Sequence, residues 1–108
     1  MVLKIDSTER NEIRVELVDN KSNLKDILIQ KQKLGSQVLL PMIVKILKKN
    51  ELNLKDLTAI EVNCGPGSFT GTRVGVSVAN ALGFALNIPV NGKKGKIVVP
   101  IYERSKFD

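Results

Sequence analysis

The residues best suited to hold a ligand lie between Asn63 and Val90, where a glycine-rich loop separates an apolar run from a long segment of small residues. The hydroxyl groups of Ser68 and Thr70, with free backbone N–H groups at a helix start, could surround an anion. The established phosphate-binding patterns do not fit. Gly71 falls one residue late for a Walker A loop, and Thr70 stands where the dinucleotide-binding pattern needs its third glycine. A generic anion site is therefore one interpretation of the loop.

The same glycines take part in a four-residue repeat. Small residues recur at every fourth position, namely Gly67, Gly71, Gly75, Ala79 and Gly83. Positions i and i+4 share one face of a helix, so this face carries almost no side chains. Glycine inside a helix costs up to about 1 kcal/mol relative to alanine, and the repeat therefore indicates close approach of another backbone. Either this chain's own sheet or first helix packs there, or a helix of another protein does.

Gly75 lies at the middle of this glycine stripe and separates the two interpretations. If the stripe faces a partner, the variant Gly75→Leu should stay folded and monomeric but lose binding. If the stripe faces the core, the added side chain should destabilise the fold instead. We expect the first outcome from the sequence.

Composition limits the chemistry that this chain can perform. Its 108 residues suffice for one domain. The absence of histidine excludes Ser-His and Cys-His nucleophile systems within the chain, and we predict neither catalytic residues nor a metal site. The net charge of +6 includes lysine clusters at 45–49 and 93–96. These clusters suit contact with nucleic acid or an acidic partner, or they only keep a small domain soluble.

Three features of the chain favour a cytoplasmic protein. There is one cysteine, Cys64, which excludes an internal disulfide. The N-terminus lacks the apolar segment of a signal peptide. No apolar run approaches the length of a membrane span.

Hydrophobic periodicity predicts the order β-β-β-α-β-α-β. Alternation favours strands over 2–6, 12–19 and 24–32, joined as an antiparallel meander. A helix follows with Ser36 as its N-cap, then a buried strand over 57–63, a second helix over 68–86 and a strand at 88–90. The fourth strand must be reached by a helical crossover, so we predict an α/β fold with a mixed sheet.

The segment "GPGSFTGTRVGVSVANALGFALNIPV" resembles the loop and second helix of the TsaB (YeaZ) family. "LKIDST" resembles the opening of that family, and "GSQVLLPMIVKIL" resembles its first helix, with Gly35 where histidine is usual. The resemblance covers about residues 3–91, so we divide the chain into a TsaB-like lobe (1–91) and a linker, last strand and tail (92–108). In the tail, Pro100, Tyr102 and Arg104 match a P-x-Y-x-R segment that ends many members. The chain looks like a member whose second lobe is replaced by "NGKKGK", a sequence suited to a tight hairpin.

The resemblance implies a single actin-like or Hsp70-like ATPase lobe of the ribonuclease H-like group. It also implies a role in threonylcarbamoyladenosine modification of tRNA, as a non-catalytic scaffold that forms a heterodimer with a TsaD-like protein. A TsaE-like ATPase is a further implied partner, and tRNA is contacted indirectly. Alone, the chain is expected to form a homodimer through the same helices. No cofactor is expected on this chain alone, although the assembled complex can bind ATP.

The predicted site residues form two groups. For partner binding we predict residues of both helices: Val38, Leu39, Met42, Ile46, Gly71, Arg73, Gly75, Val76, Ala79, Asn80 and Gly83. For contact with an anion or nucleotide we predict Asp6, Gly67, Ser68 and Thr70. Two alternative functions stay open, a small basic module that touches tRNA and a degenerate nucleotide-binding lobe.

Overall fold

A four-stranded mixed sheet forms the centre of the chain, for which the computed structural model describes residues 1–31 and 38–101. The strands are β1 (Val2–Asp6), β2 (Glu12–Val18), β3 (Leu24–Lys31) and β4 (Ala59–Val62). Their order across the sheet is β3-β2-β1-β4. The pairs β1–β2 and β2–β3 are antiparallel, whereas β1 and β4 run parallel. The predicted meander and the crossover to the fourth strand are both confirmed.

Both helices pack on one face of this sheet. Helix α1 spans Leu39–Lys49 and contacts β2 and β3, while α2 spans Phe69–Leu86 and contacts β4 and β1. The strands turn alternate residues toward the helices, as Leu3 and Ile5 of β1 show by their complete or nearly complete burial. This two-layer arrangement builds the core between the sheet and the helices.

The start of α1 differs from the predicted one. Val38 occupies the N-cap position, and Ser36, the residue predicted to cap the helix, lies outside the described residues. The helix buries an apolar stripe at the predicted spacing: Leu39, Met42, Ile43, Ile46 and Leu47. Lys48 and Lys49 lie in its last turn, where positive charge complements the helix dipole.

The opposite face of the sheet carries charged side chains that pair with one another. Lys4 lies 3.3 Å from Glu61, and Arg14 lies 3.9 Å from Glu16. A cavity of about 320 Å³ opens on this face. Because exposed ion pairs contribute little to stability, they solubilise the face more than they hold the sheet together.

The predicted strand at 88–90 is reduced to a single bridging residue. Val90 pairs in parallel with Ile60 and then in antiparallel fashion with Lys93. Asn91 and Gly92 both have positive φ, 50° and 78°, as a two-residue hairpin turn requires. The tight hairpin predicted for this linker is confirmed, and the early turn is the reason that no full strand forms at Val90.

Two asparagine side chains, Asn80 and Asn91, each form a pair of hydrogen bonds with the backbone of one other residue, as a neighbouring strand would. Asn91 accepts a hydrogen bond from the Val62 N–H at 2.8 Å and donates one to the Val62 carbonyl at 3.0 Å. Asn80 of α2 makes the same paired contact with Val98, at 3.0 and 2.8 Å. The first pair closes the outer edge of β4, and the second fixes the segment Ile97–Ile101 beside α2.

Candidate functional site

The glycine loop, residues 63–68, joins β4 to α2 and lies against the turn that follows β1. The Ser68 N–H donates to the Thr8 carbonyl at 2.8 Å. The buried Ser7 hydroxyl donates to the Gly71 carbonyl at 2.6 Å. The Gly65–Pro66 peptide bond is cis. The loop and the first turn of α2 are thus held by polar contacts to residues that sit directly after β1.

The glycine stripe faces this chain's own β1 and not a partner. A methyl group on Gly67 would lie 2.5 Å from the Thr8 side chain, and one on Gly75 would meet the Ser7 hydroxyl. A methyl group on Gly83 would meet the Val90 side chain. Real side chains do not approach that closely, so only glycine permits this contact. The prediction that the stripe receives another protein's helix is wrong, and the alternative of internal packing is confirmed.

Several other residues predicted for partner binding belong to the hydrophobic core. Leu39, Met42, Ile46, Val76 and Ala79 are all buried within the chain. Their small exposed area leaves almost nothing for a partner to cover. These residues were predicted from their helical spacing. In a two-layer fold that spacing marks the side of each helix that faces the core, because that side is the apolar one.

The three remaining residues of that group have different environments. Val38 is half-buried and packs against the core at the start of α1. Both amide atoms of Asn80 are bonded to Val98. Arg73 is exposed on α2, and of the predicted group it alone combines exposure with a long side chain.

Asp6, Gly67 and Ser68, three of the four residues predicted to hold an anion, contact Thr8. One Asp6 carboxylate oxygen accepts from the Thr8 N–H at 3.0 Å and from its hydroxyl at 2.7 Å. The other oxygen accepts from the Asn63 side chain at 3.2 Å. Burial opposes ionisation of this carboxyl, but these hydrogen bonds and the charge of Arg14 lower the pKa of Asp6 below its ordinary value.

Several hydrogen-bond donors around the loop already have partners inside the chain. The hydroxyls of Ser7 and Thr8 already donate to Gly71 and Asp6, and the Ser68 N–H donates to Thr8. Gly67 is packed against Thr8, while Thr70 is exposed in the first turn of α2. No metal-binding group of histidine, cysteine or carboxylate side chains occurs among the described residues. These three donors hold the loop in place.

Cys64, at the start of the loop, has the environment of a structural residue. Burial raises the pKa of its thiol, against the opposing effects of Asn91 and Lys93. A thiol with a raised pKa carries little thiolate at neutral pH and is a poor nucleophile.

Sequence reasoning missed the surface that lies opposite the glycine stripe. We call it the outer helix face, formed on α2 by Thr70, Arg73, Val74, Ser77, Val78 and Ala81. It bears one charge, that of Arg73, and lines a hollow of about 330 Å³. On α1 the exposed side chains include Leu40 and Val44, 50% and 44% exposed. The signal was available in the sequence, because α2 has one charged residue in 18 positions.

The fold and this arrangement define a class of protein, one lobe of the actin-like α/β fold. YeaZ from Pseudomonas aeruginosa has a similar structure, with a TM-score of 0.69 and 32% identity over 82% of this chain. A structure described as an uncharacterized protein with similarity to peptidase YeaZ from Pseudomonas aeruginosa has a TM-score of 0.70, with 28% identity over 94% of this chain.

The family model for TsaD, tRNA N6-adenosine threonylcarbamoyltransferase, matches residues 30–92. Among sequence relatives, the tRNA threonylcarbamoyladenosine biosynthesis protein TsaB of Haemophilus influenzae is 34% identical over 78% of this chain. That of Buchnera aphidicola subsp. Baizongia pistaciae is 47% identical over 47% of it. The chain belongs to the TsaB (YeaZ) family, whose named members act in threonylcarbamoyladenosine biosynthesis.

The chain is much shorter than the proteins that it matches. It spans 34% of the Haemophilus relative and 23% of the Buchnera relative. It covers 41% and 43% of the two similar structures. No helix in the described part of the chain is long and apolar enough to cross a membrane.

Gly75→Leu tests the internal role of the glycine stripe. The added side chain must displace Ser7 and Ile5 of the chain itself, and overpacking of this kind costs about 1–3 kcal/mol or more. We expect a lower Tm or insoluble protein, not a folded variant that has only lost binding. Thermal unfolding followed by circular dichroism measures the effect. Ala81→Leu, the same enlargement at an exposed position of α2, should leave Tm nearly unchanged, and equal effects of the two would contradict the packing.

Asp6→Asn tests the charged hydrogen bonds beside the loop. Since the pKa of Asp6 is lowered from 3.8 in the folded state, its contribution is present above that pH and is lost as the pH falls through the folded-state pKa. The variant should be less stable at pH 7 by about 1 kcal/mol, and the difference should vanish in acid. Denaturant unfolding over a series of pH values, from 7 down to below the folded-state pKa, measures it, with Glu9→Gln, an exposed carboxylate of the same turn, as control. A difference independent of pH would refute the role of the charge.

Proposed function

We propose that this chain is a non-catalytic scaffold subunit in threonylcarbamoyladenosine modification of tRNA, and that it binds a TsaD-like catalytic protein. The outer helix face carries this proposal. That surface replaces the glycine stripe as the contact with the partner, since the stripe is occupied by the chain's own β1. The family relationship supplies the pathway, because the relatives are named for threonylcarbamoyladenosine biosynthesis.

The physical character of the outer helix face suits a protein partner. Its residues are small or apolar apart from Arg73, and the partly exposed Val74 and Val78 form its centre. Charged side chains are depleted at the centre of protein interfaces, and arginine is enriched there. Leu40 and Val44 of α1 add exposed apolar side chains on the same side of the sheet.

The site chemistry supports a role without catalysis. Ser7, Thr8 and Asp6 are engaged with one another and with α2, so none of them is poised to activate a substrate. Binding of ATP belongs in this proposal to the assembled complex. A TsaE-like ATPase is a further partner in the same assembly, and tRNA reaches this subunit only through the catalytic one.

Two alternatives have weaker support. A degenerate nucleotide-binding lobe would need donors that the loop has already committed to internal hydrogen bonds. Homodimer formation uses the same outer helix face and competes with the catalytic partner, since an exposed apolar surface tends to be covered. Analytical ultracentrifugation of the chain alone and with its partner separates homodimer from heterodimer.

Ser77→Arg tests the outer helix face. Ser77 is exposed, so the fold should tolerate the change, whereas a long charged side chain at the centre of an apolar contact should weaken binding by roughly tenfold or more. Isothermal titration calorimetry with the TsaD homologue of the same organism measures the affinity.

Gln30→Arg is the matched control for this experiment. It introduces the same side chain at an exposed position of β3, outside the outer helix face, and should bind like the unmodified chain. Equal affinity of Ser77→Arg and Gln30→Arg would remove the outer helix face from the interface. Failure of the unmodified chain to bind would refute the proposed partner itself.

A further inference from the structure

Phe84 near the end of α2 and three side chains of the segment 97–101 are among the most exposed apolar side chains of the described residues. Phe84 is 80% exposed, Ile97 75%, Val99 66% and Ile101 56%. We call these four side chains the C-terminal patch. Single exposed apolar residues are normal on a protein surface, but an aromatic ring and three β-branched side chains expose more apolar area than single residues do.

The backbone of 97–101 presents this patch in a fixed way. Val98 faces the core, and its N–H and carbonyl are both bonded to the Asn80 side chain. The Ile101 N–H donates to the Cys64 carbonyl at 2.6 Å. Because side chains alternate in an extended chain, anchoring Val98 inward turns Ile97 and Val99 outward. The exposure is therefore built into the fold.

A small hollow lies beside the patch. Its volume is about 150 Å³, and Phe84, Ile88, Lys93, Lys96 and Ile97 are among the residues that line it. This size suits one apolar side chain. The two lysines stand at its border, so a group that enters the hollow has cations next to it.

Charge around the patch has one sign. Between Glu61 and Glu103 the chain has no carboxylate, and it has four cations, of which Lys93, Lys94 and Lys96 lie in the hairpin next to the patch. No ion pair with a described residue engages these three lysines. The local surface is apolar at its centre and positive at its border.

We infer that the C-terminal patch binds an extended segment of a partner protein in which apolar side chains alternate with carboxylates. One apolar side chain enters the hollow, and neighbouring carboxylates meet Lys93 and Lys96. The exposed side of the segment 97–101 offers backbone groups for strand addition. A second copy of this chain is a poor occupant, since it would place like charges together. Phe84 lies two turns beyond Ser77 on the same side of α2, so this surface adjoins the outer helix face, but the inference rests on the hollow and its lysines and does not depend on the proposed function.

Fluorescence anisotropy with labelled octapeptides on the full chain tests the inference. A peptide of alternating leucine and glutamate should bind, and raising the salt concentration should weaken it. Peptides of alternating leucine and lysine, or serine and glutamate, should bind at least roughly tenfold more weakly, since each lacks one half of the complementarity. Equal binding of all three peptides, or of none, would overturn the inference.

Two variants locate the binding on the patch. Phe84→Ser and Ile97→Ser each remove an exposed apolar side chain and should weaken the leucine–glutamate peptide by roughly tenfold. Leu24→Ser is the matched control, since Leu24 is 58% exposed on β3, and it should have no effect. Unchanged binding by both patch variants would place the peptide elsewhere.

A tRNA transcript provides the opposing outcome. Lysines and an exposed aromatic ring also occur in RNA-binding surfaces. If the transcript binds, and Phe84→Ser and Ile97→Ser abolish that binding while the peptide fails to compete, the patch is an RNA site and the inference of a protein partner is wrong. The apolar Ile97, Val99 and Ile101 favour protein, because a phosphate backbone gains nothing from them.

Discussion

The close approach of α2 to the turn after β1 is the contact on which the rest of the fold depends. The helix has no side chain at Gly71 and Gly75, so the Ser7 backbone and hydroxyl reach the helix directly. Each glycine inside a helix costs up to about 1 kcal/mol relative to alanine. The hydrogen bond between Ser7 and Gly71 and the dense packing beside Ile5 offset that cost. A larger residue at either position would separate α2 from the sheet and open the core.

This approach also determines what the loop can do. With α2 packed against the end of β1, the glycine loop lies beside Thr8, and the hydroxyls of Ser7 and Thr8 find their partners inside the chain. The outer helix face of α2 therefore points to solvent. Its one charged residue is Arg73, so most of this exposed surface is uncharged. The position of the glycine loop and the exposure of the outer helix face therefore both follow from the contact between α2 and the turn after β1.

Sequence predicted the elements well because periodicity and turn chemistry are local. The alternation in β2, the helical spacing from Leu39 to Leu47 and the Asn91–Gly92 turn all carried through. The glycine stripe was harder, since its spacing shows that a backbone comes close but does not say whose. The roles of Asn80 and Asn91 were beyond sequence reasoning, because each pairs with a strand-like backbone 18 or 29 residues away. The prediction of a strand at 88–90 was wrong because the chain turns directly after Val90, where Asn91 has a positive φ.

The uneven distribution of charge separates two regions of the surface. On the open face of the sheet, cations and carboxylates neutralise one another in pairs such as Lys4–Glu61, so that face has little attraction for a charged partner. From Val62 to Ile101 the chain has only cations, and this stretch supplies α2, the hairpin and the C-terminal patch. A partner with carboxylates is attracted to the side that also exposes Phe84 and Ile97. In protein complexes, electrostatic attraction steers the encounter and sets the orientation more than it adds affinity.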